Sequence, residues 1–197
     1  MKLRKLIHPV LALTVGAMLY TGCNPESDTY IFAQPSAIAY VGLFPVPDGG
    51  AVSLESLHFE VSIPTQLVHF ASAATLPGNL AYATSIYQPP PVLLEKIKDI
   101  RIRPLTAYNS KYAALDDMSD AVGFTIHTRP NDTVSKDVFL MGNNNAISGL
   151  SDVSLHFQLW LKEPPSDGGA VKQFIIEIIT DTNSKLADTT QSFILNL

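Results

Sequence analysis

Leu57, Phe59, Val61 and Ile63 alternate with His58, Glu60 and Ser62. Val153, Leu155, Phe157, Leu159 and Leu161 alternate in the same way with Ser154, His156, Gln158 and Trp160, and Ile100 and Ile102 alternate with Asp99, Arg101 and Arg103. A period of two sends one set of side chains to a buried face and the other toward water, so each run predicts a half-buried strand. Weaker runs extend the set: Ile38 to Phe44, Leu67 to Ser72, Leu80 to Tyr87, Val122 to Thr128, Lys136 to Met141, Val171 to Thr180 and Gln191 to Leu197. Between them lie turn-forming strings such as Asp48-Gly49-Gly50, Pro77-Gly78-Asn79, Pro130-Asn131-Asp132 and Asp167-Gly168-Gly169. Pro89-Pro90-Pro91 suits no central strand. Lys111 to Met118, with Ser110 as a cap, is the one helix candidate. Many strands at these intervals predict an all-β chain, an immunoglobulin-like or related antiparallel β-sandwich over residues 37–197.

Two strings recur. Asp-Gly-Gly-Ala-Val stands at 48–52 and 167–171, and Ser-Leu-His-Phe at 56–59 and 154–157. Their order is reversed between the two halves, so they are shared turn and strand solutions and not a duplicated domain.

The first 22 residues have a different pattern. Lys2, Arg4 and Lys5 precede a mostly apolar stretch from Leu6 to Leu19. That stretch is shorter than the roughly 20 residues a membrane-spanning helix needs and fits the core of a signal peptide. Thr21 and Gly22 are small, and Cys23 follows as the single cysteine of the chain. A lone cysteine in an exported protein has no internal disulfide partner, and acylation explains it. Gly22 and Cys23 after such a run resemble a bacterial lipoprotein signal, although Tyr20 stands where a leucine is usual. The resemblance implies cleavage before Cys23 and acyl chains on it, which hold a protein stably when there is more than one. Residues 23–36, with Pro25, Glu26, Ser27 and Asp28, predict a tether between lipid and domain.

Once residues 1–22 are removed, ten basic residues face eighteen acidic ones, a net charge of −8. No basic cluster is present for phosphate contacts, so nucleic acid is not an expected partner.

Catalytic spacing is equally hard to find. There is no Gly-x-Ser-x-Gly, and His58, His69, His127 and His156 form no short metal-binding pair. Asp116, Asp117 and Asp120 cluster without a calcium-loop pattern. Glu177 stands alone in Phe174 to Ile179 with no second carboxylate to make a glycosidase pair. No metal or cofactor is expected. Aromatic residues on loops or an outer face suit recognition better, and Tyr87, Tyr108, Tyr112 and Trp160 are the candidates. His58 and His156 should point off the core face and would meet if their strands pair in that register.

The signal, acidic tether and strand-rich layout resemble the small surface lipoproteins of Bacteroidetes that carry one β-sandwich. That resemblance implies a membrane-anchored, non-catalytic binding or structural module at the outer membrane or cell surface. Its partner would be a glycan or another envelope protein. The alternative is a small hydrolase or an accessory subunit of a polysaccharide-processing system.

Overall fold

The computed structural model describes residues 27–69, 92–125, 132–146 and 154–196. The expected strand at Leu80 to Tyr87, the triple proline, Cys23 and the signal segment lie outside them.

The first sheet contains β2 (Ser36–Val41), β3 (Phe44–Pro45), β5 (Leu57–Ile63), β9 (Val122–Thr125) and β10 (Leu155–Leu161), in the order β3-β2-β5-β10-β9. All its pairings are antiparallel. The alternation read from the sequence sets the register of its centre. Ile63 faces Leu155, Val61 faces Phe157 and Phe59 faces Leu159. All six side chains are buried, because a slip of one residue would turn the whole apolar set to water.

The second layer is built from β8 (Ile97–Pro104), β11 (Val171–Lys172), β12 (Phe174–Thr180), β13 (Lys185–Thr189) and β14 (Phe193–Asn196), with β4 (Gly50–Ser53) at its edge. β11 and β12 are one strand interrupted at Gln173, and β13 and β14 form the strand that returns beside it. Thr190 bridges the interruption. Its N–H donates to the Phe174 carbonyl at 2.9 Å, and its Oγ1 accepts from the Phe174 N–H at 3.1 Å. Arg103 lies opposite Ile175, and Ile102 and Ile100 face Ile176 and Ile178 across the β8–β12 pair. Glu177, on the outward side of β12, accepts a hydrogen bond from Arg103 Nε at 3.2 Å.

The first strand is split between layers. β2 pairs with β5 in the first sheet, whereas β4, after a sharp turn, pairs in parallel with β14 in the second. Taking β2, β5, β8, β9, β10, β12 and β13/β14 in chain order, the first, second, fifth and fourth share one sheet. The third, sixth and seventh share the other. That is the strand order of an immunoglobulin-like sandwich. Antibody domains join the second and sixth strands by a disulfide. This chain has one cysteine and places an aromatic pair there instead, with the Phe59 and Phe174 rings 5.2 Å apart.

The two Asp-Gly-Gly turns have parallel uses. One leads into β4 and the other into β11, and these strands flank β14 on its two sides. Gly49 (φ +73°) and Gly169 (φ +84°) adopt the left-handed conformation that glycine reaches without strain. Their N–H groups donate to Ser192 and Leu195, on the segment between.

Three expectations need correction. Lys136 to Met141 is not a strand but the start of helix α1 (Lys136–Ala146). The run Val138-Phe139-Leu140-Met141 is apolar throughout, so alternation had nothing to act on. In the helix Phe139 is buried against Phe124 and Phe157, with ring centroids 5.3 and 5.0 Å away, while Val138 and Met141 are exposed. Lys136 Nζ pairs with Asp99 Oδ1 on β8 at 2.8 Å, tying the helix to the second layer. Conversely, residues 111–118 form turns and not a helix. The Asn109 Oδ1 takes the N–H groups of Lys111 and Tyr112, a local alternative to helical bonding.

The third correction concerns the expected tether at 23–36. Its second half is folded: β1 (Thr29–Phe32) pairs antiparallel with β6 (Thr65–His69) and parallel with β7 (Val92–Leu93). This small sheet prolongs the β2–β5 pair beyond Pro64, where Ala33 N–H donates to the Pro64 carbonyl. The buried Glu95 fixes it to the second layer. Its carboxylate accepts from the Phe32 N–H at 3.1 Å and from Thr182 Oγ1 at 2.7 Å. β1, β4, β7 and β13 all lack long apolar runs, which is why alternation did not find them.

Candidate functional site

The outward face of the first sheet carries a row that crosses all five strands. Pro45 lies opposite Tyr40, Tyr40 opposite His58, His58 opposite Trp160, and Trp160 opposite Gly123. The rings stack. Tyr40 and His58 have centroids 5.8 Å apart at 20°, and His58 and Trp160 are 4.6 Å apart at 25°. Both faces of His58 are therefore covered, and Tyr40 and Trp160 each give one face to it. Gly123 ends the row because the next segment crosses there: a Cβ at this position would come within 2.6 Å of the Thr133 Cβ.

The row and its neighbour Gln158, one outward pair along β10, hold polar atoms without partners. Among the described residues, His58 Nδ1, Trp160 Nε1 and Gln158 Oε1 are shielded from solvent and make no hydrogen bond. Such groups cost roughly 1–3 kcal/mol each. Burial pushes the His58 imidazole below its ordinary value, and the Ser56 backbone and the Glu60 carboxylate only partly oppose this. The folded chain thus resists a proton that the unfolded chain accepts near pH 6.5. The stability that depends on neutral His58 is complete above that pH and is lost as the pH falls below it. We expect the urea midpoint to drop between pH 7.5 and 5.5, and His58→Phe to flatten that drop. An equal slope in wild type and variant would show that His58 is not its source.

At one end of this row the chain turns through a hairpin between β2 and β3. Gly42, at φ +58°, makes the turn. Leu43 and Phe44 project from it with 83% and 77% of their surfaces exposed. Surfaces that leave neighbouring large apolar side chains this bare are characteristic of contact sites. β2 runs away from β1, so this hairpin pole and the small β6-β1-β7 sheet are at opposite ends of the first sheet. Val41 stands twelve positions after Thr29, which sets the poles up to about 40 Å apart.

The four predicted aromatics part company here. Trp160 is on the outward row, half-buried and stacked. Tyr108 is fully buried in the core. Its ring meets Phe174 edge-on at 5.7 Å and its hydroxyl donates to the Glu163 carbonyl at 2.6 Å. Burial pushes the Tyr108 phenol far above its ordinary range. Tyr112 is also buried, with its hydroxyl donating to Asp120 Oδ1 at 2.7 Å and Lys111 Nζ 4.6 Å from its ring centroid. Tyr108 and Tyr112 therefore pack the long connection between β8 and β9 and offer no surface. Tyr87 lies outside the described residues.

The two histidines do not meet. β5 and β10 are neighbours, but His58 faces Trp160 and His156 faces Ser62, two pairs toward the other end. The acidic cluster is engaged locally. Asp116 accepts from the Ala113 N–H, Asp117 from the Ser119 N–H, and Asp120 from Tyr112 and Lys111. No group of three or more acidic, histidine or cysteine side chains among the described residues could hold a metal ion. Tyr40, Leu43 and Phe44 were missed by sequence reasoning, and His58 was considered only as a partner for His156. The signal was present in Tyr40, which alternates with Ala39 and Val41, but its significance depends on a register that one strand does not reveal.

Comparison with protein-family models, with curated proteins and with solved structures finds no match.

Proposed function

We propose that this chain is a lipid-anchored, non-catalytic module of the bacterial cell envelope that contacts another envelope protein through its hairpin pole. The observation that carries the reading is the exposure of Leu43 and Phe44 at the tip of a turn fixed by Gly42, beside the Pro45–Tyr40–His58–Trp160 row. A projecting apolar tip fills a groove on a partner; it encloses no small molecule. The stacked rings favour a protein over a glycan. Sugars pack on open ring faces, whereas these rings turn several of their faces to one another. The basic n-region, the short apolar run and Gly22-Cys23 support the anchor.

The test compares the wild-type chain with Leu43→Ser/Phe44→Ser in envelope cross-linking through a photoreactive residue at 41. A glycan array and a hydrolase screen run alongside. Both changes are at exposed positions, so the variant should fold and reach the membrane as wild type does while losing its cross-linked protein. Undiminished cross-linking by the double variant would remove the hairpin as the contact. Strong array binding with no protein adduct would favour the glycan reading. Turnover of a substrate that a single His or Asp substitution abolishes would replace the module with an enzyme.

A further inference from the structure

We propose that the small β6-β1-β7 sheet is a lipid-facing surface that seats the domain on its membrane; this rests on the anchor at Cys23. Four large apolar side chains are exposed around this sheet. Val68 is 56% exposed, Leu94 53%, Val92 43% and Leu67 40%. Leu93, between Val92 and Leu94, packs toward the core. Side chains alternate across a strand, and the Leu94 N–H continues the ladder to the Tyr30 carbonyl. Val92 and Leu94 therefore share the outward face. On β6, Val68 stands at the bulge where the pairing with β1 shifts register, while Leu67, opposite Tyr30 as Leu93 is, belongs to the other face and is exposed at its margin.

The chain's own path says what covers this surface. β1 begins at Thr29, so five residues, 24–28, separate it from Cys23. Five residues reach at most about 18 Å. An acylated Cys23 therefore holds this pole, and no other, against the lipid. The hairpin pole, at the far end of the first sheet, is carried outward.

The charge around the sheet does not oppose this. Lys96 and Lys98 follow β7 directly, and Lys185 opens β13 beside the 181–184 turn that closes this end. All three are exposed and form no ion pair among the described residues. Elsewhere Arg101, Arg103, Lys111, Lys136 and Lys172 are matched with carboxylates, and Lys162 is exposed without an ion pair among the described residues. Lys98 bonds the Asn183 side chain, and Asp28 and Asp181 are the facing acids. Counted with Glu95, three lysines stand with three carboxylates, so the pole is close to neutral within an acidic chain. Apolar side chains with lysines at their rim match the boundary between acyl chains and headgroups, where surface-seated elements sit ~5–10 Å deep.

The experiment uses the full chain, extracted from membranes and reconstituted into phosphatidylethanolamine/phosphatidylglycerol vesicles. Single cysteines replace Val68, Val92 or Phe44, and a water-soluble maleimide reports their exposure before and after detergent is added. We expect positions 68 and 92 to react several-fold more slowly in vesicles than in detergent, and position 44 to react equally in both. Equal reaction at all three positions in vesicles, with the protein still sedimenting with lipid, overturns the seating and leaves the anchor intact. Slow reaction at 68 and 92 that detergent does not relieve also overturns it, because the cover is then protein. Wild type that stays in solution when vesicles are sedimented defeats the anchor, and the seating with it.

Discussion

Deletion of residues 191–197 is expected to abolish cooperative unfolding. The deleted segment includes β14, the central strand of the β11-β14-β4 group. β4 has no other strand partner among the described residues, so its edge is left bare. Phe193 and Leu195 are fully buried, and the Phe193 ring lies 5.9 Å from Phe59 and 6.0 Å from Phe174. Truncating buried side chains of this size costs ~2–5 kcal/mol each. Two such losses consume most of a typical margin of ~5–15 kcal/mol. The polar losses compound this. Gln191 donates through Nε2 to the carbonyls of Ala39 and Val46, each at 2.9 Å, and accepts from the Ala39 N–H at 3.0 Å. Ser192 bonds the Asp48 carboxylate, which pulls the Asp48 pKa below its ordinary range. The chain's last strand thus holds its first strand at the turn between sheets. Urea unfolding followed by near-UV circular dichroism reads the result. A single sharp transition with an unchanged denaturant slope in the truncated chain would show that β14 is dispensable.

The parts of this architecture that the sequence displays are those where one face is buried and the other wet. β5 and β10 appear at their observed positions because Leu57 to Ile63 and Leu155 to Leu161 alternate cleanly. The Asp-Gly-Gly turns were legible because the chemistry of a left-handed glycine is local. What was not legible depended on pairing. β13, Lys-Leu-Ala-Asp-Thr, is a strand because β12 offers it an edge. β1 looked like tether because Thr-Tyr-Ile-Phe is short and follows acidic residues, yet β6 and β7 bond it on both sides. Two of the aromatic candidates, Tyr108 and Tyr112, failed for a related reason. Tyrosine is compatible with a core if its hydroxyl finds an acceptor, as Tyr108 does at Glu163. Composition could not separate that case from an exposed ring. The Tyr40–His58–Trp160 row required three strands to be aligned at once.

Phe174→Ala is expected to destabilise the domain by about 3–5 kcal/mol. Phe174 is fully buried and is the ring where the layers meet. It touches Phe59 from the first sheet at 5.2 Å, Tyr108 from the β8–β9 connection at 5.7 Å and Phe193 from β14 at 6.0 Å. Removing it opens a space that three rings border. None can fill it easily, because each is held by its own strand or, for Tyr108, by the hydroxyl bond to Glu163. The loss should therefore fall toward the upper part of that range, since the cost rises with the cavity left behind. The Phe59–Phe174 contact also has a signature of its own. Aromatic pairs contribute about 0.5–1.5 kcal/mol beyond the area they bury. A double-mutant cycle with Phe59→Leu and Phe174→Leu should return a coupling of that size, measured from equilibrium urea unfolding. Additivity within about 0.3 kcal/mol, the ordinary result for independent sites, would mean the pair fills space without the specific contact. If Phe174→Ala itself cost less than about 1 kcal/mol, a figure more usual for a partly exposed site, the packing of the two layers on this ring would be wrong.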